Sequence, residues 1–319
     1  MIKTLKNLGH LLLNYTYDMY VFVKYSSIFR NNNQEKILGN IGYWYHAIEK
    51  GLINNPLRYR FGKEKISRLI YYINNWIKLG YNTTNSQFVA ACSVLLKYCQ
   101  LHKDNHIEIN DIISKETLST LNKFGKYQKG GTKTYEAASY FKEISSSFDL
   151  FSNSRHSVRH FNGRKIDISI IEDVISLAKN APSVCNRQSI EVFLINNKEK
   201  AQEVLNLQSG MKATSDNVQQ VLVVTSEIGS FISPVERNQM FIDGGIFLQN
   251  LLYALHFNGI AACALNWSKP FFYEFNARKF LNISHQKRVI SVIAIGYPVD
   301  NFKVPYSSRK EVDEILHII

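Results

Sequence analysis

Ser154-Arg155-His156-Ser157-Val158-Arg159-His160-Phe161 is the stretch on which the reading of the chain turns. Two arginines four residues apart, with a hydroxyl between them, set two guanidinium forks on one side of the chain. Such a group suits a phosphate dianion or an electron-rich ring edge. An exposed basic turn is the simpler use of the same residues, so the neighbouring sequence has to decide. Downstream, Ile170, Ile171, Val174, Ile175 and Ala178 line one face of a helix that stops near Asn180-Ala181-Pro182. Residues 191–195 and 221–225 are short runs rich in β-branched residues and read as buried strands. Residues 241–257 form a long helix apolar on nearly every side, ended by Asn258-Gly259 as a C-cap. A helix of that kind is buried centrally or in a subunit interface. Residues 260–263 and 288–296 add strands. The whole predicts an α+β or α/β layered domain.

Upstream the texture differs. Residues 1–145 read as a mostly helical domain, separate from a second domain over 146–319. Ile66, Leu69, Ile70, Ile73, Trp76 and Ile77 recur at helical spacing, and Phe88, Cys92, Leu95, Leu96 and Cys99 repeat the pattern. Between them, Tyr81-Asn82-Thr83-Thr84-Asn85-Ser86 offers Ser or Thr as an N-cap. Lys129-Gly130-Gly131-Thr132-Lys133 reads as a loop, and residues 144–149 as a linker.

Hydrophobic residues at 45% and aromatics at 13% argue against disorder. Apolar runs are interrupted well short of the roughly 18–20 residues a spanning helix needs. The first residues lack a small-residue cleavage site and do not read as a signal peptide. Cys92, Cys99, Cys185 and Cys263 form no CxxC pair and no metal-ligand spacing, which suits reduced thiols in the cytoplasm. The net charge of +12 is concentrated early: residues 1–100 hold 13 Lys and Arg against 4 Asp and Glu. That excess permits an acidic partner, such as a membrane surface, nucleic acid or an anionic metabolite. Of these, peripheral membrane contact by the basic N-terminal region is kept as an expectation, and nucleic acid is not. No run of like charge stands out, so a solvated lysine-rich surface is the plainer reading.

Three further strings carry candidate chemistry. Pro182-Ser183-Val184-Cys185-Asn186-Arg187-Gln188 follows a helix and precedes a strand, with Ser, Asn and Gln ready to bond a ligand or the backbone. Ala264-Leu265-Asn266-Trp267 follows the strand at 260–263, its small residues able to bring backbone against a flat cofactor. Pro305-Tyr306-Ser307-Ser308-Arg309 again sets a hydroxyl pair beside an arginine.

Taken in order, these four strings resemble the nitroreductase family over roughly residues 151–319. The resemblance implies an α+β, nitroreductase-like FMN-binding sandwich preceded by the helical domain. It also implies an FMN-dependent oxidoreductase, with NAD(P)H as electron donor and a small molecule as acceptor. In that family the Arg-x-Ser-x-Arg/Lys string grips FMN. The correspondence assigns Arg155 to the phosphate, Ser157 to the ribityl chain and Arg159 to the pyrimidine edge, with His156 between them. A cation at that edge makes sense because a reduced flavin gathers negative charge there. Arg309 matches a late arginine on the phosphate. Pro182, Ser183, Val184, Asn186 and Gln188 correspond to a loop supplied by the partner subunit, so a homodimer with FMN sites at its interface is implied. Leu265 and Asn266 would approach the flavin's central nitrogen, and Asn266 and Trp267 would face the substrate as the catalytic pair.

Departures from the family pattern fall near the ring. Asn266-Trp267 stands where many members carry Glu-Gly, Ser183-Val184 where they often carry Ser-Ser, and Met211 where related sequences have Asn. These changes bear on substrate and redox tuning more than on the flavin. Residues 44–52, the string Pro234-Val235-Glu236-Arg237-Asn238-Gln239, and Ile242-Asp243-Gly244-Gly245 resemble a narrower group associated with bacterial surface-polysaccharide synthesis. The rival reading is a non-catalytic flavin-binding or assembly protein of a glycan pathway, since a fold alone does not establish activity.

Other signals read as structural. His46 and Glu49 have the spacing of half a helical metal site, yet no further ligands follow, so no metal is expected. Residues 125–132 nearly spell a phosphate loop, but Gly131 stands where the lysine belongs. Tyr71, Tyr72 and Trp76 read as helix packing rather than as a base-stacking face. Gly244 and Gly245 inside the long helix predict a close helix crossing or a dimer contact.

Overall fold

A computed structural model describes residues 2–27, 33–126, 129–211, 213–270 and 278–319. The chain divides into two compact units, one of residues 1–16 and 135–302, the other of residues 17–134 and 303–319. Helix α1 (Ile2–Tyr25) is shared between them. Strands β1 (Thr132–Glu136) and β6 (Asn301–Pro305) form a two-stranded sheet, and the chain passes from one unit to the other within each.

The helical unit is built on α2 (Gln34–Leu52), α3 (Lys63–Lys78), α4 (Ser86–Asp104) and α5 (Lys115–Phe124). The stripes expected from periodicity form its core: Ile66, Leu69, Ile73 and Trp76 of α3 meet Phe88, Cys92, Leu95 and Leu96 of α4, all fully buried. Tyr72 is also buried there, whereas Tyr71 is exposed. The cap of α4 is Asn85 rather than Ser or Thr. Its side chain accepts from the backbone N–H groups of Gln87 and Phe88 at 3.0 and 3.2 Å. Asn caps as well as Ser does, and Ser86 is engaged differently, its N–H and Oγ both bonded to the Glu314 carboxylate. An anion at a helix N-terminus also opposes the positive end of the dipole.

Glu49, which with His46 has the spacing of half a helical metal site, has no exposure at all. Its carboxylate accepts the backbone N–H groups of Gly131 and Ser307 at 3.3 Å, and His46 Nδ1 lies 3.8 Å away. Burial raises its pKa, and the hydrogen bonds only partly offset this. The carboxylate therefore joins α2 to the Gly131 turn and to the C-terminal segment. Tyr127 and Gln128 of the near-phosphate-loop string lie outside the described residues.

The second unit carries α6 (Ala137–Tyr140), α7 (Phe148–Ser154), α8 (Ile168–Ala178), β2 (Ile190–Ile195), α9 (Lys198–Gln208), β3 (Gln220–Glu227), α10 (Gln239–Phe257), β4 (Ala261–Asn266) and β5 (Lys287–Gly296). Its sheet has the order β2-β3-β5-β4, with every named pair antiparallel. Mixed helix and antiparallel sheet, preceded by a helical part, is the α+β arrangement expected. Helices α8 and α10 pack through Ile171, Val174, Leu251 and Leu255 onto Leu222, Val224, Ile293 and Ile295. Alternation along β3 turns Val221 and Val223 to the opposite face, and both are also fully buried. Strand β2 is only half-buried, unlike the buried strand expected.

The compact units differ from a boundary at 145/146. Residues 135–145 go with the sheet-bearing unit because the Tyr140 hydroxyl bonds the backbone of His156 and its ring packs on His256. Residues 303–319 go with the helical unit through Ser307 and Glu314.

The two glycines of α10 also separate. A Cβ on Gly244 would lie 2.8–3.0 Å from three side-chain atoms of Ile290 on β5, whereas one on Gly245 would meet nothing within 4 Å. The close approach is thus helix on sheet. Gly244→Ala should destabilise the protein by about 1–2 kcal/mol. Overpacking against a stiff β-branched side chain costs about 1–3 kcal/mol and exceeds the roughly 1 kcal/mol of helix propensity gained. A urea midpoint that stays put or rises would refute it.

Candidate functional site

The 154–161 stretch leaves α7 in extended conformation at Arg155 (φ −73°, ψ 123°). It then runs parallel to β4, with Ser157 bridged to Ala262 and the Val158 N–H donating to Ala262 O at 3.0 Å. Extended chain alternates its side chains, which sets Arg155, Ser157 and Arg159 on one side. Val158, between them, is fully buried. Before the bridge the Tyr140 hydroxyl both donates to His156 O and accepts from its N–H, each at 2.9 Å. After it, Phe161 pairs with Pro298. The segment is therefore a pinned strand and not an exposed turn.

Arg159 is 8% exposed. Its Nη1 reaches Ser157 O at a long 3.4 Å, and among the described residues its buried Nε has no acceptor. A buried guanidinium with unused donors is costly unless an acceptor reaches it. An anionic or carbonyl-bearing ring edge supplies such an acceptor, and the residues present fit the flavin assigned to them on this point.

The parallel direction carries Arg159 toward the far end of β4. That strand does not stop at Cys263 but runs on through Leu265 and Asn266, with Trp267 just beyond it. Leu265 is buried and its carbonyl accepts from Ser291 Oγ at 2.9 Å. Asn266 is exposed, and Gln208 Nε2 donates to both its backbone oxygen (3.0 Å) and its Oδ1 (3.2 Å). Gln208, at the end of α9, is itself buried, as is Met211 three residues on. The indole N–H of Trp267 is buried with no acceptor among the described residues. Three strings separated in sequence, 155–159, 208–211 and 264–267, are thus joined through β4.

The 182–188 loop is held elsewhere in the unit. Val184 N–H donates to the Asp243 carboxylate at 3.2 Å, and Gln239 Nε2 donates to it at 2.7 Å. Arg187 forms a 2.9 Å ion pair with Glu236, whose pKa that bond lowers. Ser183 Oγ accepts from Gln188 N–H at 3.0 Å, and Gln188 Nε2 reaches Asn186 Oδ1 at 3.2 Å. Cys185, Asn186 and Gln188 all have φ near +50°, a left-handed conformation that costs non-glycine residues about 1–3 kcal/mol each. Beneath the loop a cavity of about 120 Å³ is lined by Pro182, Ser183, Gln188 and Asp243. Arg309 lies in the other unit, exposed, bonded to Ser307 O.

Several contributors escaped the sequence reading. Gln208 and Tyr140 gave no signal. Asp243 did, as a carboxylate in an apolar helix. His256 is buried on α10, with Nε2 2.7 Å from Ser154 Oγ and Nδ1 without a partner among the described residues. Ser154 Oγ also donates to Phe151 O at 2.8 Å. It has one proton, so His256 Nε2–H is the donor to Ser154, which leaves Nδ1 as a bare acceptor. Burial first, then the nearby Arg155 charge, pushes the imidazole pKa down to about 4.

No group of three or more His, Cys, Asp or Glu among the described residues has the placement to hold a metal ion. Residues 153–230 match the Nitroreductase family model. No curated protein matches the chain. Among solved structures, a nitroreductase family protein from Streptococcus pneumoniae is 20% identical, with 54% of this chain and 100% of that one covered at a TM-score of 0.47. A nitroreductase-like protein from Streptococcus mutans is 17% identical, over 55% and 99% of the two chains, at 0.46. A nitroreductase family protein from Clostridium difficile is 20% identical, over 52% and 95%, at 0.43.

Proposed function

We propose that this protein is an FMN-dependent oxidoreductase whose flavin lies against the 155–159 strand. The observation that carries the reading is Arg159, buried, with no acceptor for its Nε among the described residues, inside the stretch that matches the Nitroreductase family model. FMN supplies the two-electron chemistry, with NAD(P)H as donor and a small molecule as acceptor. Arg159 holds positive charge where the ring's pyrimidine edge becomes electron-rich, and its burial strengthens that interaction. Arg155 and Ser157, on the same side of the strand, take the phosphate and ribityl chain. Gln208 fixes the Asn266 side chain, so Asn266 presents an oriented polar group while Trp267 bounds the acceptor pocket.

A homodimer accompanies this reading. Phe241, Ile242 and Ile246 of α10 are exposed apolar side chains on one helix, and the strained 182–188 loop is assigned to the partner's flavin. The resemblance of residues 44–52 and 234–239 supports a setting in surface-polysaccharide synthesis. Thiols without disulfides support the cytoplasm as the compartment.

The test is direct. Purified protein should be yellow, release FMN on denaturation and bleach under NADH or NADPH in the absence of oxygen. Colourless protein that takes up no added FMN would refute flavin binding. Yellow protein that neither nicotinamide bleaches would favour the non-catalytic glycan-pathway reading.

A further inference from the structure

Helix α1 has no role in the proposed chemistry, and its surface is unusual. Leu5, Leu8, Leu12, Tyr15, Met19 and Phe22 recur at alternating three- and four-residue spacing, which forms one continuous stripe along about five turns. Every one of them is more than half exposed. Val23 widens the stripe, and Leu13 and Tyr20, farther round the helix, are also exposed. The opposite arc is mixed: it holds Lys6, Asn7, His10, Asn14 and Lys24 together with Leu13, Tyr17 and Val21. The helix is therefore amphipathic in part, with its lysines confined to the arc opposite the stripe, and the apolar stripe faces outward.

We propose that α1 lies flat in the headgroup region of an anionic lipid bilayer and holds the protein to that surface. Three observations favour lipid over a second protein helix. The charges of the opposite arc are basic, and the helix sequence has Lys3, Lys6 and Lys24 against Asp18 alone, which complements negative headgroups. Tyr15, Tyr17, Tyr20 and Tyr25 give the helix four exposed tyrosines, the side chain suited to a boundary that is apolar below and wet above. A paired coiled coil would want charged residues flanking the stripe. Here the flanking positions are Gly9, Leu11, Thr16, Asp18, Val23 and Tyr25, with one charge among them. No helix among the described residues is long and apolar enough to cross a membrane, so the helix lies on the bilayer and does not span it.

The test uses the whole chain and sedimentation with vesicles of phosphatidylcholine alone or mixed with phosphatidylglycerol. Wild-type protein should pellet with the mixed vesicles, less so at high salt, and far less with phosphatidylcholine alone. Leu8→Glu with Leu12→Glu should weaken partitioning by at least about a hundredfold, because two buried leucines are lost and two charges gained. Lys6→Glu with Lys24→Glu should weaken binding to the mixed vesicles by at least about tenfold and flatten its salt dependence. An unchanged thermal midpoint in the lysine pair shows the fold intact even if the leucine pair proves insoluble. Wild-type protein left in the supernatant overturns the proposal, as does binding insensitive to both pairs. So does a lipid-free change of mass that the leucine pair abolishes without any vesicle binding, which would assign the stripe to a second copy of the chain.

Discussion

Arg159→Ala should cost about tenfold to a hundredfold in FMN affinity while leaving the flavin-free protein as stable as wild type, or more so. The first half follows from losing a charge-assisted hydrogen bond, worth about 1.5–3 kcal/mol. The second follows because the buried Nε has no acceptor among the described residues. Removing an uncompensated buried polar group relieves its desolvation cost. Arg159→Lys should fall between, since it keeps the charge and loses the planar fork. Flavin titration and thermal unfolding of the stripped proteins separate the two halves. If Arg159→Ala melts well below wild type without flavin, the guanidinium serves the fold and the flavin assignment loses its main support.

Stability should also fall steeply as pH drops from 6.5 toward 4, and His256→Gln should remove much of that slope. The folded imidazole titrates near 4, below its ordinary 6.5. Across that window the unfolded chain takes up a proton that the folded chain refuses, so acid favours unfolding. The full difference is on the order of 3 kcal/mol, present above the unfolded pKa and lost through the folded one. Its causes are burial first and then the nearby Arg155 charge, and a second N–H on the ring would have no acceptor among the described residues. Glutamine keeps a donor toward Ser154 without titrating. Carboxylates held low by partners, such as Glu236, lose stability in acid in both proteins and cancel from the comparison. Parallel urea-derived curves for wild type and His256→Gln between pH 7 and 4.5 would show that the histidine is not the source.

Elements with strong periodicity were legible in the sequence. The α3 and α4 stripes, α8, β3 and the long α10 follow from burying one face, or nearly every face, of a regular element. What escaped was set by distant partners. Glu49 looked like an idle helix-surface carboxylate because its donors, Gly131 and Ser307, lie 82 and 258 residues away in sequence. Residues 129–133 read as a loop, and the strand that begins at Thr132 gave no signal because Thr-Lys-Thr-Tyr-Glu lacks an apolar alternation; it exists through pairing with β6. In the candidate site, the Arg155-x-Ser157-x-Arg159 side was readable from alternation. The Gln208 clamp on Asn266 was not, since it joins the end of a helix to a strand 58 residues on.

The helical unit is discontinuous in sequence, and that has a temporal cost during synthesis. Ser86 at the start of α4 waits for Glu314 and the buried Glu49 for Ser307, while the segment that carries the sheet is translated between. At about 5–20 residues per second, the delay between residues 134 and 314 is roughly 10–40 s. Until then the Glu49 carboxylate lacks one of the two backbone N–H donors it has in the finished fold. The helical unit, most of which is translated before residue 135, is therefore completed only after the segment 135–302 has been made.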